Sequence, residues 1–237
     1  VLAYSVNALV SVSPIEAMPY YWLCLAFLVA PTVREFDVSM PLVAVSSLIF
    51  SFFIFIGSFV FVGCFLGADH SYYLAETMQQ GSAGQVAAYK KATQLNPFEA
   101  DYETLYIDSL GGSYTSHIST LTKNDAYLLF YELDQSYKKF PHRFELGSVI
   151  SYYYTAMALN FRTPDLIKIA ESVNASVNRK TPYDITALGD QAAIYQTLGE
   201  KSKVNSLRAK ILSIGPDTKT KSNALALIDS VKPFPEK

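Results

Sequence analysis

Residues 85–97 read QVAAYKKATQLNP, and this stretch decides the fold class. Val86, Tyr89, Ala92 and Leu95 recur three residues apart, with Ala88 beside them, which places one apolar face on an α-helix. Lys90 and Lys91 fall on the opposite face and are expected to meet solvent. Asn96-Pro97 then ends the helix, because proline disfavours helical backbone at the residue before it.

The same punctuation recurs along the chain. Pro182 and Pro216 are 34 residues apart. Between them DITALGDQAAIYQTLGEK (184–201) predicts a helix ending at Leu198, a glycine cap at Gly199, and a second helix over Lys201–Ser213. Pro97 and Pro141 are 44 apart, and Pro141 and Pro182 are 41 apart, so those units need longer helices or loops. The stretch GGSYTSHISTLTKN (111–124) reads as a linker that absorbs the first excess. Helix pairs are expected at about 69–96, 99–140, 144–180 and 184–214, with a closing helix near 217–231 covering the open end.

A 34-residue period is that of tetratricopeptide repeats. The pattern resembles that family: Tyr89, Ala92 and Pro97 match the aromatic, small and proline positions of its second helix. Ala192, Tyr195, Gly199 and Pro216 match in the last unit, although Val204 and Ile211 replace the usual alanines. The expected fold is therefore all-α: transmembrane helices followed by a tetratricopeptide-like α-solenoid of helix pairs over residues 69–237.

The transmembrane part is residues 1–68. Of 19 basic and 21 acidic residues, only Arg34, Glu16, Glu35 and Asp37 fall there, so the remainder is formally neutral. A neutral domain has no basic stripe for phosphates, which argues against a nucleic-acid partner. Residues 42–68 (LVAVSSLIFSFFIFIGSFVFVGCFLGA) are uncharged and long enough to span a bilayer. Residues 17–33 are also uncharged and shorter, with Tyr20, Tyr21 and Trp22 as an interfacial belt. Residues 1–12 read as the end of a preceding helix, and the missing initiator Met suggests that the natural start lies upstream. Gly63 and Gly67 form a small-xxx-small pair, read either as close helix packing or as ordinary glycine content. Arg34, in the loop 34–41, is the only basic residue near a helix end, and it assigns that loop to the cytoplasm and residues 69–237 to the outer side. Cys24 and Cys64 are both in the apolar part, so the polar part holds no disulfide framework and no thiolate metal site.

The order of parts is itself informative. A Trp-bearing apolar helix (YYWLCLAFLVA), a short loop, a long apolar helix and then AYKKATQLNPFEADY together resemble the C-terminal end of O-antigen ligase or polymerase-like membrane proteins with tetratricopeptide tails. The likeness covers residues 1 to about 110 best. It implies a multi-pass protein of the bacterial cytoplasmic membrane that transfers a glycan from an undecaprenyl diphosphate carrier to an acceptor on the outer face. The family's functional Arg and His residues match nothing here. The resemblance thus implies catalysis upstream of Val1, no cofactor in this chain, and a repeat domain that recruits acceptor or assembly partners. The alternative is a non-enzymatic, membrane-tethered scaffold for protein–protein interaction.

No catalytic motif is present. His70, His117 and His142 lie in different units with no partner at i+4, so they read as surface residues rather than metal ligands. Tyr152, Tyr153 and Tyr154 are consecutive on a helix, so at most two can be buried; the third is either a groove-lining aromatic for sugar or peptide, or a solvated tyrosine. Asn174-Ala-Ser176 spells a glycosylation sequon but is expected mid-helix.

Overall fold

A computed structural model describes residues 41–234. The expected segments at 1–12 and 17–33, and Arg34, lie outside the described residues. The chain divides into two compact units, Val1–Phe65 and Leu66–Lys237.

Among the described residues all regular structure is helical. The helices are α1 (Pro41–Glu76), α2 (Ala83–Leu95), α3 (Ala100–Ser116), α4 (Lys123–Lys139), α5 (Phe144–Phe161), α6 (Pro164–Lys180), α7 (Ile185–Leu198), α8 (Lys201–Ser213) and α9 (Thr218–Ser230), with a 3₁₀ turn at Ile118–Thr120. Phe52–Glu76, within α1, is long and apolar enough to cross a membrane by length and composition. Phe52, Phe53, Phe55 and Phe59 are exposed there. No helix break occurs at residues 68–69. Nothing between Gly67 and Glu76 stops a helix, and the Ser71 hydroxyl donates to the Gly67 carbonyl inside it (2.8 Å).

Each boundary has a local cause. Ser82 caps α2 by accepting from the Gln85 amide (3.2 Å), and Asp184 caps α7 by accepting from the Thr186 and Ala187 amides (2.9 and 3.2 Å). Thr122 and Asp125 form a capping box at α4. Gly199 ends α7 in the left-handed conformation at φ 75°, where glycine carries no Cβ penalty. Pro97, Pro141, Pro182 and Pro216 all lie in links between helices.

One expected loop is helix. Gly111–Ser116, assigned above to a linker, are the last turns of α3, and α4 starts at Lys123. Glycine stands at position 111 of this helix because the Tyr153 ring of α5 occupies the space a Cβ would take. The glycine serves close packing there, not flexibility.

In the second unit α3, α5, α7 and α9 form a row, each packed on the next. On the other side α2 packs on α3, α4 on α3 and α5, α6 on α5 and α7, and α8 on α7. Two apolar clusters fill the space between the layers. One joins Ile107, Leu129, Leu133, Leu146, Ile150, Met157 and Leu166; the other joins Leu188, Ala192, Val204, Ile211 and Ile228. Full burial of each such side chain contributes about 1.5–3 kcal/mol. At the α7–α9 crossing a Cβ on Gly189 would lie 2.8 Å from the Ala224 Cβ, so the two helices touch through small residues.

Candidate functional site

The tyrosine triplet of α5 is resolved by its neighbours. Tyr153 and Tyr154 are buried, while Tyr152 is exposed. Tyr154 donates to the Phe130 carbonyl (3.0 Å), with ring centroids 4.1 Å apart. Tyr153 crosses to α3 and donates to both the carbonyl and the carboxylate of Asp108 (2.8 and 2.9 Å). Burial, and then the Asp108 charge, hold the Tyr153 phenol well above its ordinary pKa, so it stays protonated and keeps the proton it donates to Asp108. Tyr152 packs edge-on to Tyr153 and keeps its outer face in solvent.

The residues that carried the repeat pattern occupy structural places. Ala92 and Ala192 are buried on α2 and α7. Tyr195 is half-buried, accepts from Gln191 Nε2 (3.0 Å) and lies under the Lys203 ammonium. Tyr89 is buried on α2 and donates to the Glu76 carboxylate (2.7 Å). Gly199 caps α7, while Pro97 and Pro216 sit in the links before α3 and α9. His70, His117 and His142 are exposed and apart, and no cluster of metal-ligating side chains occurs among the described residues. Asn174 is fully buried mid-helix on α6, where no glycan could attach.

Asp108 and Glu76 open onto a cleft of about 310 Å³ between the end of α1, the α1–α2 link and α3. Gln80, Gln85, Tyr89 and Ser109 add polar groups, and Met78 and Leu105 add apolar ones. Gln85 is the buried hub. Its Oε1 accepts from the Gly81 amide and the Ser109 hydroxyl (both 2.8 Å), and its Nε2 donates to the Ala75 carbonyl (3.3 Å). These bonds fix the Gln85 side chain, while each of the two carboxylates accepts one tyrosine hydroxyl, Tyr89 on Glu76 and Tyr153 on Asp108, through one of its two oxygens. Such a surface suits a ligand rich in donors: hydroxyls, amides or an ammonium.

Within the row, three of the four helices lack basic residues; α9 carries Lys219 and Lys221. The helices α3, α5 and α7 carry Asp101, Glu103, Asp108, Glu145 and Asp190 and no lysine or arginine. The opposite layer, α2, α4, α6 and α8, carries lysines on every helix. Glu103 is paired with the Lys139 ammonium (2.7 Å) and also accepts from the Ser136 hydroxyl.

Asp190 is the one charge of α7, and it is buried. Its Oδ2 has no hydrogen-bond partner. Burial pushes its carboxyl up to about 8, with the Ser151 hydroxyl opposing and the Asp184 charge adding to the rise. Beside it Ser151 donates to Asn174, which donates to Thr155 (3.0 and 2.8 Å). Residue spacing did not single out Asp190 or the Glu76–Asp108 cleft. For Asp190 a signal existed in its isolation on an otherwise uncharged helix. The cleft joins residues of three segments, and no local pattern reports it.

No family profile, no curated protein and no solved structure matches this chain.

Proposed function

We propose that the second unit is a tetratricopeptide-like stack of helix pairs, held at a membrane by α1, that binds a partner along the face of α3, α5 and α7. The observation that supports this best is the two-layer order. Every second helix from α3 packs on the next, and the intervening helix fills the back. Stacks of this kind expose one continuous face built from alternate helices. Here that face has no basic residue on α3, α5 or α7, and it offers Tyr152 and the Glu76–Asp108 cleft. The partner is therefore a donor-rich segment or glycan.

The resemblance to O-antigen ligase-like proteins supports reading this stack as part of a lipid-linked glycan transferase. In that reading the residues carried no motif of the chemistry, so catalysis belongs to a part of the protein other than this chain. The stack recruits the acceptor or assembly partners at the outer face of a bacterial cytoplasmic membrane, in a protein with several spans. A membrane-tethered scaffold without transfer chemistry uses the same face.

Photocrosslinking tests the binding face. A photoreactive phenylalanine is placed at Leu105 or Tyr152 on the proposed face, and at Leu128 or Leu212, exposed on the back layer, in the protein expressed in its native membrane. Defined adducts from the first pair alone support the proposal. Equal adducts from both pairs, or adducts from the back alone, overturn it.

A further inference from the structure

The links that precede α3, α5 and α7 lie along one edge of the second unit. Side chains stitch them together. Tyr102, in the first turn of α3, donates to Asp69 of α1. Arg143, the cap of α5, pairs with Asp101. Lys180 donates to the Pro141 carbonyl (2.8 Å), and Ser148, in the first turns of α5, donates to Asp184. The chain also enters the unit here. Leu66 opens it, and Gly67 sits against the Leu95 side chain at the end of α2.

This edge is aromatic. Phe98 is 78% exposed and Tyr183 75%, the two highest values for any large apolar side chain between Leu66 and Phe234, and Phe144 is 57% exposed. Phe98 and Tyr183 each stand one residue before an acidic helix cap, Glu99 and Asp184. An apolar residue there ordinarily folds onto the first turn of its helix as a staple. Neither does so. The opposite edge presents Ser116, Thr120, Thr122 and Asn124 where α3 ends and α4 begins, and its α7–α8 link exposes Leu198 at only 37%. Scattered exposed aromatics need no explanation, but recurrence at each link of one edge does.

We propose that this edge rests on the bilayer, with Phe98, Phe144 and Tyr183 in the headgroup layer. The inference relies on the reading of α1 as a membrane span. What selects lipid over a protein partner is connectivity: the chain reaches this edge directly from the uncharged apolar run 42–68, the second unit opening at Leu66. The amphipathic ring of Tyr183 favours the headgroup layer, and the rings of Phe98 and Phe144 bury apolar area at the boundary between headgroups and acyl chains. Charges on the edge are of both signs: Arg143 pairs with Asp101 and Glu145 and Lys139 with Glu103, while Lys180 is bonded to the Pro141 carbonyl and to no acid, so the edge is not a single-sign basic patch built for anionic lipid. The cleft then stands clear of the surface. Asp108 lies eight residues into α3, about 12 Å from its start at 1.5 Å per residue.

The test uses the full chain in phosphatidylcholine nanodiscs, with Cys24 and Cys64 changed to Ser. Single cysteines at Phe98, Phe144 and Tyr183 carry an environment-sensitive fluorophore. Thr120 reports the opposite edge and Phe55 the apolar helix. Nitroxide lipids quench either near the headgroup or deep in the acyl layer. Support requires blue-shifted emission at all three edge sites, quenched more by the shallow nitroxide than by the deep one, with Thr120 unquenched, Phe55 quenched by the deep nitroxide, and the pattern kept when anionic lipid is added. Water-like emission at the edge sites, with Phe55 still quenched deep, overturns the contact and leaves the span standing. A blue shift at the edge without nitroxide quenching shows a protein covering it and also overturns the contact. Loss of deep quenching at Phe55 removes the span and the contact together.

Discussion

The Tyr153 ring lies on Gly111, so α5 reaches across to α3 through a site that only glycine leaves open. The hydroxyl of the same residue then bonds Asp108 one turn earlier on α3, locking the ring in place. A Cβ on Gly111 would meet three ring carbons well inside van der Waals contact, whereas one on Gly112 would come no nearer than 3.8 Å to the Tyr153 oxygen.

Two adjacent glycines of one helix should therefore respond with opposite signs. Gly111→Ala gains helix propensity but overpacks against a ring that cannot move, for a net loss of about 1–2 kcal/mol. Gly112→Ala should gain roughly 0.5–1 kcal/mol, since only the propensity term remains. Thermal unfolding of the chain in detergent reads both. A lower melting point for Gly112→Ala than for Gly111→Ala would contradict the assigned contact.

Asp190 gives a pH prediction. Its folded-state pKa of about 8 stands above the ordinary carboxylate value, so the folded protein holds the proton that the unfolded chain releases. Below about pH 4 both states are protonated and nothing is lost. As pH rises from there to about 8, only the unfolded state ionises, and stability falls over that window before levelling off. Asp190→Asn removes the effect. It should match wild type near pH 4 and exceed it by a few kcal/mol near pH 8. A constant difference between the two across that range would refute the buried, protonated carboxyl.

Helix boundaries were legible because their chemistry is local. Asn96-Pro97 and Gly199 act within a residue or two, and α2, α7 and α8 end or begin where those signals lie. The Gly111–Ser116 turn was not legible, because its glycine answers to Tyr153, 42 residues away. The continuity of α1 past residue 68 was missed for the opposite reason: polarity changes at Asp69, but polarity alone does not end a helix. The site was the least legible part. One of three tyrosines had to face out, yet which one was set by Asp108 and Phe130 on other helices.

The face of α2 makes a simple contrast. Ala92 is fully buried and Lys91 exposed. Ala92→Arg forces a charge and added bulk into a closed space and should cost several kcal/mol. Lys91→Ala removes only solvated charge and should change stability by less than about 0.5 kcal/mol. Matching melting points for the two variants would show that the helix face is assigned wrongly.

The last prediction is topological: the second unit lies outside the cytoplasmic membrane. Phe52–Glu76 is long and apolar enough to carry the chain across. Arg34, which precedes it in the sequence, is the kind of residue retained on the cytoplasmic side. The unit has no cysteine, which suits an oxidising compartment without requiring one. A partner-binding face is also useful where lipid-linked glycan is transferred, which the resemblance puts on the outer side. Ser202 and Ser222 are exposed on α8 and α9, so a cysteine at either is accessible to reagent. With Cys24 and Cys64 replaced, intact cells, permeabilised at the outer membrane if they have one, are treated with a membrane-impermeant maleimide. Labelling before lysis at both sites is expected. If both sites label only after lysis, the unit is cytoplasmic, and a role in handling an acceptor on the outer face is lost. Any contact of the second unit with a bilayer would then have to be sought on the inner leaflet.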